Sequence, residues 1–173
     1  VGGGGIARAF LELLAPFGCR TTVVRRSNEP VAGADLVVSP DHLVEALADA
    51  LVVVLAAPLT EATRGLIGPD ELAMMSPDAW LINVSRGALV DTDALVEALE
   101  TGSIAGAGLD VTDPEPLPSD HPLWSLDNCV ITPHIGNTPD MREPCLGPRI
   151  RDNVRAFCRG QSLEGIVDRR AGY

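Results

Sequence analysis

The sequence predicts an α/β fold built on a doubly wound parallel sheet, and three observations predict it. Six short aliphatic runs alternate with stretches of helical apolar spacing, as successive right-handed βαβ units do. The runs are continuously apolar rather than alternating, the mark of strands buried on both faces. A glycine run, Gly2 to Gly5, stands directly before the first helical stretch, where such sheets bind phosphate groups.

Val1-Gly2-Gly3-Gly4-Gly5-Ile6-Ala7 fits G-x-G-x-x-G/A with Gly2, Gly4 and Ala7. The first glycine makes a tight turn, and the second lets backbone approach a pyrophosphate. A small third residue lets helix pack on strand. The helix that follows has Ile6, Phe10, Leu13 and Leu14 as its apolar positions. Strands are expected at Thr21–Val24, Leu36–Val38, Leu51–Ala56, Trp80–Asn83, Ala105–Asp110 and Cys129–Thr132. Asp91 is the expected N-cap of a helix through Leu99, with Gly102 just past its end. The proline-rich, acidic stretch Thr112–Pro122 must be a loop, pinned to the body by Leu123 and Trp124. Thr138-Pro139 reads as N-cap and first residue of a last helix toward Gly160. Pro144 and Pro148 predict a break or kink inside it. The organisation expected is a dinucleotide-binding domain over 1–138 and a C-terminal helix and tail over 139–173.

A length of 173 residues, 46% hydrophobic and 21% charged, suits one well-buried domain. The net charge of −11 opposes a nucleic-acid partner. Cys19, Cys129, Cys145 and Cys158 form no CxxC pair and no zinc-type spacing. They read as small apolar residues in a reducing cytosol. No apolar run approaches the roughly 18 residues of a membrane span, and no secretory signal pattern is visible. A cytoplasmic protein without a membrane partner is expected. The chain opens at Val1-Gly2 as though cut inside a strand, so a missing leader says little about the parent polypeptide.

Three kinds of charged residue follow apolar runs. Arg86 comes after Trp80–Asn83, Asp110, Asp113 and Glu115 after the Ala105 run, and His134 after Cys129–Thr132. If the runs are parallel strands, these side chains emerge at one carboxyl edge, where open α/β sheets bind ligands. The set suits reduction of a 2-oxo acid. Arginine forks the carboxylate and polarises the ketone, and histidine delivers the proton. A nearby carboxylate keeps the histidine protonated, and Glu115 and Asp113 compete for that part. His42 and His121 read as structural. No metal is needed, because arginine and imidazolium stabilise the developing charge. An acid is expected roughly 20 residues after the glycines, to bind the ribose diol. Arg25-Arg26-Ser27 stands there instead. That favours the 2′-phosphate of NADP(H), with NAD(H) still possible and two solvated surface arginines as the bland alternative. Ala57-Pro58 forms either a wall of the adenine pocket or a plain strand-ending turn.

With these residues in place the chain resembles the D-isomer-specific 2-hydroxyacid dehydrogenases over almost its whole length. The matching stretches are VGGGGIA, AAPLTEATRGLIG, LINVSRGALVD, GAGLDVTDPEP, HPLW and TPHIGNTP. The resemblance implies the Rossmann-type NAD(P)-binding domain of that family, in an enzyme that is a homodimer acting on a small 2-oxo or D-2-hydroxy acid. Glyoxylate/hydroxypyruvate reductase-like and phosphoglycerate dehydrogenase-like activities are both implied. Arg86 is then the substrate arginine, His134 the acid/base and Glu115 its carboxylate partner. Asp110 holds the nicotinamide carboxamide. Ala57, Pro58, Val84 and Gly136 line the cofactor beside Gly2, Gly4, Gly5 and Ile6. Arg25 replaces the usual acid, and Thr112 and Asp113 stand where an aromatic and a glutamate are common. The family's N-terminal substrate domain is absent from this chain, which alone is expected to be a cofactor domain without turnover. Corepressors of the C-terminal-binding-protein type resemble the same family and can keep the arginine, glutamate and histidine. This chain shows no basic or disordered recruitment segment, which favours the enzyme.

Overall fold

Four strands, β3 (Val52–Leu55), β4 (Trp80–Asn83), β5 (Gly106–Leu109) and β6 (Cys129–Ile131), pair in that order, all parallel. Two more, β1 (Thr22–Val24) and β2 (Leu36–Val38), pair in parallel beside them. The computed structural model describes residues 1–169. The expected strands are all present, each matching its run or shortened by one residue at one or both ends.

Val1 and Gly2 join the two strand groups. The Gly2 N–H donates to Val24 O at the end of β1, while the Ala56 N–H donates to Val1 O beyond β3. The Val1 nitrogen donates to Val54 O at 2.6 Å. Strands therefore run outward in both directions from Val1–Gly2, β1 then β2 on one side and β3 to β6 on the other. The strand order reverses there, which defines the switch point of a doubly wound sheet.

β-Branched and leucine side chains make these strands. Leu55, Leu81 and Ala107 are fully buried, and the core is completed by Leu47, Ile67, Leu72, Leu89, Leu95, Ile104 and Leu123. They come from α2 (Leu43–Ala48), α3 (Pro69–Met74), α4 (Thr92–Thr101) and the connections between them. The six-residue helices α2 and α3 are too short to persist alone, and Leu43, Leu47 and Leu72 anchor them. The α4 ends are as expected. Asp91 Oδ1 accepts the Ala94 N–H at 3.0 Å, and Gly102 closes the helix with φ of 69°.

α1 (Gly5–Leu14) forms where predicted, but its expected apolar face is not its buried one. Leu11 is buried, against Val23 and Val31, whereas Ile6, Phe10 and Leu13 are exposed. Periodicity identifies residues that share a stripe, and nothing in it says which stripe finds a partner within the same chain.

The chain divides into two compact units, Val1–Pro133 and a second that begins at His134. The second holds α5 (Pro139–Cys158), begun by Thr138 in extended conformation with Pro139 as first residue. α5 continues through Pro144 and Pro148 without the expected break. Its residues here are exposed, so water can take the carbonyls that each proline leaves without a partner. The segment after α5 folds back on it. Asn153 Nδ2 donates to Glu164 O at 2.9 Å, and the Glu164 N–H returns to Asn153 Oδ1 at 2.8 Å. Residues 170–173 of the expected tail lie outside the described residues.

All four cysteines are free thiols. Cys129 alone fits the reading of a small apolar residue: burial pushes its thiol up to about 11. Cys19, Cys145 and Cys158 are exposed, against expectation. Among the described residues, no helix is long and apolar enough to cross a membrane.

Candidate functional site at the carboxyl edge of the sheet

Strand register makes one level edge in the first unit. Leu55 pairs with Asn83, Asn83 with Leu109, and Leu109 with Ile131. The segments carrying Ala57, Arg86, Asp110 and Thr132 therefore leave the sheet on the same side. The glycine turn reaches that side between β1 and β3.

Gly2 has φ of 103°, which favours glycine, and a Cβ there would lie 2.6 Å from Ala56 O. The turn is thus wedged against the β3 edge. Gly4 precedes α1 in extended conformation with no side-chain cap. A Cβ at Gly4 or Gly5 would meet nothing within 4 Å. The N-terminal turn of α1, which includes Ile6, is therefore open, with the positive end of its dipole facing free space.

Arg25 follows β1 immediately, and its N–H donates to Val38 O at 3.0 Å. Its side chain lies over Gly3, where a Cβ would come within 2.8 Å of Arg25 Cδ. Arg25 Nη1 is buried and has no hydrogen-bond partner among the described residues. Arg26 is exposed, and Ser27 Oγ accepts the Glu29 N–H at 3.3 Å, leaving its own proton to donate. Glycine turn and arginine together offer an open helix end beside an orphaned cationic nitrogen, a donor set that fits a phosphorylated dinucleotide.

Asn83 organises the centre of the edge. It is the one buried polar residue among those described, 1% exposed. Its Nδ2 donates to Arg86 O at 2.9 Å and its Oδ1 accepts the Ser85 N–H at 3.1 Å. Its own carbonyl accepts the Asp110 N–H at 3.0 Å. Ser85 Oγ donates to Ala57 O, tying this turn to the β3 loop. Arg86 is exposed, with Nη1 donating to Ser85 O at 2.6 Å. Val84 and Pro58 are exposed beside Ser85 and Ala57, while Ala57 itself is buried. Half-buried Asp110 accepts from Thr132 Oγ1 at 2.6 Å.

Glu115 is exposed on the loop after β5. Thr92 Oγ1 donates to Asp113 O at 2.6 Å, and Thr112 Oγ1 to Pro114 O at 2.9 Å. Farther along, Trp124 Nε1 donates to Pro118 O at 2.8 Å and Leu123 is fully buried. Leu123 pins the loop through burial and Trp124 through one hydrogen bond, its ring being half exposed.

His134 and Gly136 open the second unit and are exposed. His134 has φ of 53°, the one positive value outside glycine among the described residues. Such backbone persists where surroundings impose it and clusters at functional sites. Asn83, Ser85, Thr92 and Thr132 were missed by the sequence reading. Their only signal was position: a polar residue ending an apolar run, and a hydroxyl just before Pro133.

A parallel sheet with a glycine turn at its switch point and an open helix end defines a dinucleotide-binding domain of Rossmann type. The family model for the D-isomer specific 2-hydroxyacid dehydrogenase, NAD binding domain, matches residues 1–136, and the chain belongs to that family. It is 47% identical over 173 residues to an uncharacterized protein of Corynebacterium melassecola, covering all of this chain and 57% of that protein. With the glyoxylate reductase/hydroxypyruvate reductase of Homo sapiens it shares 40% identity over 164 residues, 94% of this chain and 50% of that one. The crystal structure of a D-isomer specific 2-hydroxyacid dehydrogenase from Xanthobacter autotrophicus Py2, in complex with NADPH and MES, superposes with a TM-score of 0.93. That comparison has 37% identity and covers 99% of this chain and 70% of that one. The chain spans about half the length of the curated relatives it matches.

Proposed function

We propose that this chain is the cofactor-binding part of an NADP(H)-preferring D-2-hydroxyacid dehydrogenase that reduces a small 2-oxo acid. The observation that carries the reading is Arg25, whose side chain lies over the glycine turn with Nη1 buried and without a partner among the described residues. An acid at this position would repel a 2′-phosphate, whereas a guanidinium binds one. The relative solved with NADPH supports the same choice. Gly2, Gly4, Gly5 and Ile6 would hold the pyrophosphate, Arg25, Arg26 and Ser27 the 2′-phosphate, and Ala57, Pro58, Val84 and Gly136 the walls. Asp110, oriented by Thr132, would take the carboxamide. The bound dinucleotide supplies the hydride.

The chain's own residues do the rest. Arg86 binds the substrate carboxylate as a fork and polarises its ketone. His134 donates a proton to the carbonyl oxygen as that oxygen becomes a hydroxyl. Glu115 is the carboxylate partner of the histidine, favouring its cationic form by charge pairing. The human relative's name points to glyoxylate and hydroxypyruvate as first substrates to try. The reading includes a cytoplasmic homodimer with residues 1–138 as cofactor domain and 139–173 docking on a substrate-binding half. An acidic net charge of −11 argues against a nucleic-acid partner.

The test is competitive binding of NADPH and NADH, followed by a panel of 2-oxo acids with both cofactors, using the native polypeptide. Tighter NADPH and turnover of a small 2-oxo acid are expected. Dinucleotide binding with no turnover of any member would favour a dinucleotide-responsive scaffold instead.

A further inference from the structure

Gly87 lies where two functional segments touch. It follows Arg86 and is buried. A Cβ built on it would come 2.0 Å from both the carbonyl carbon and oxygen of Thr112, and 2.5 Å from Asp113 N. Gly87 is not among the glycines with positive φ, so its backbone conformation is open to any residue. The requirement is for space alone. The obstructing atoms are peptide backbone, which cannot swing aside as a side chain can. Any side chain at position 87 would therefore push the Arg86 turn and the Thr112–Asp113 segment apart by more than an ångström.

Both segments are otherwise firmly held. Asn83 fixes the Arg86 turn through its two side-chain bonds. Thr92, at the start of α4, reaches across to Asp113 O at 2.6 Å. Thr112 Oγ1 braces Pro114 O, one residue before Glu115. The contact at Gly87 and the Thr92 bond make the turn bearing Arg86 and the loop bearing Glu115 one mechanical piece.

We propose that Gly87 and Thr92 are positioning residues that set the spacing between Arg86 and Glu115 for the 2-oxo acid. This rests on the assignment of Arg86 and Glu115 made above. Neither residue is among those assigned above to the dinucleotide, and their recorded contacts are with Thr112 and Asp113, so dinucleotide affinity should change far less than kcat/KM.

Three variants of the native polypeptide test it, with Arg86→Gln as control. Gly87→Ala should lower kcat/KM for the 2-oxo acid on the order of 10²-fold, as displacements near 1 Å do. Its NADPH dissociation constant should stay within about twofold, well under the effect of one lost bond. Thr92→Val keeps shape and removes only the donor, so kcat/KM should fall about fivefold, the equivalent of one neutral hydrogen bond. Thr92→Ser should restore it. If Gly87→Ala does not fold, the Thr92 pair decides. Wild-type kcat/KM in Thr92→Val, a loss that serine does not rescue, or a parallel loss of NADPH affinity would overturn the inference. If Arg86→Gln itself leaves kcat/KM intact, the parent assignment fails and this one with it. If only Arg86→Gln acts, the positioning role alone is lost.

Discussion

A guanidinium nitrogen buried without a partner among the described residues, as Nη1 of Arg25 is, costs free energy that an anionic oxygen can recover. Charge-assisted bonds contribute roughly 1.5–3 kcal/mol each, so losing one weakens NADPH about 10- to 150-fold. Arg25→Asp should do this while sparing or improving NADH, because the new carboxylate repels phosphate and accepts ribose hydroxyls. The wild-type preference should also shrink as salt rises, since Arg25 is only partly buried. Equal affinity for both cofactors would reduce these arginines to surface charges. At His134, replacement by glutamine should lower kcat about 10²- to 10⁴-fold with little change in KM, measured in steady state with saturating cofactor. Glu115→Gln should lower kcat by less than the histidine variant does, because it removes the proton donor's proposed partner and not the donor itself. Wild-type kcat in Glu115→Gln would transfer the role to Asp113.

Among the elements, α4 carries its stability signals openly in the sequence. Asp91 caps it and Gly102 ends it. Asp91→Ala should cost about 1 kcal/mol and lower the melting temperature by roughly 2–4 °C, while Asp91→Asn should retain most of it. Calorimetry checks this, and an unchanged melting point would mean the cap bond to Ala94 contributes nothing net. The strands were equally legible, because valine-rich runs such as Val52 to Val54 have few other uses in a chain of this composition. α1 was legible as a helix and illegible in its packing. Its strongest stripe, Ile6, Phe10 and Leu13, is exposed while Leu11 is buried, and periodicity carries no information about the opposing surface. In α5 the break, one of the two expected outcomes, is absent for a different reason. A proline penalty assumes that the freed carbonyl is buried, and in this exposed helix it is not. At the site, charged residues after apolar runs announced themselves. Asn83 did not, because a lone polar residue ending a strand looks like any strand end until its two side-chain bonds are seen.

For the whole molecule, size decides what the chain can do by itself. It spans about half the length of its curated relatives, and every predicted catalytic side chain, Arg86, Glu115 and His134, is exposed. Exposed charges in water are screened and their geometry is loose, whereas catalysis needs substrate held in a near-attack arrangement away from solvent. The glycine turn and Arg25, by contrast, are complete within the first unit. The 173-residue chain, expressed alone, should therefore bind NADPH measurably and reduce neither glyoxylate nor hydroxypyruvate. It should also self-associate with rising concentration, because Ile6, Leu13 and Phe17 in the first unit and Ile150, Val154 and Phe157 in the second are exposed. Sedimentation across a concentration series reads the association, fluorescence titration reads the binding, and the loss of reduced-nicotinamide absorbance reads the turnover. Rapid 2-oxo-acid reduction by the isolated chain would show that its exposed edge is already a complete active site, and the division of labour inferred from its relatives' length would be wrong.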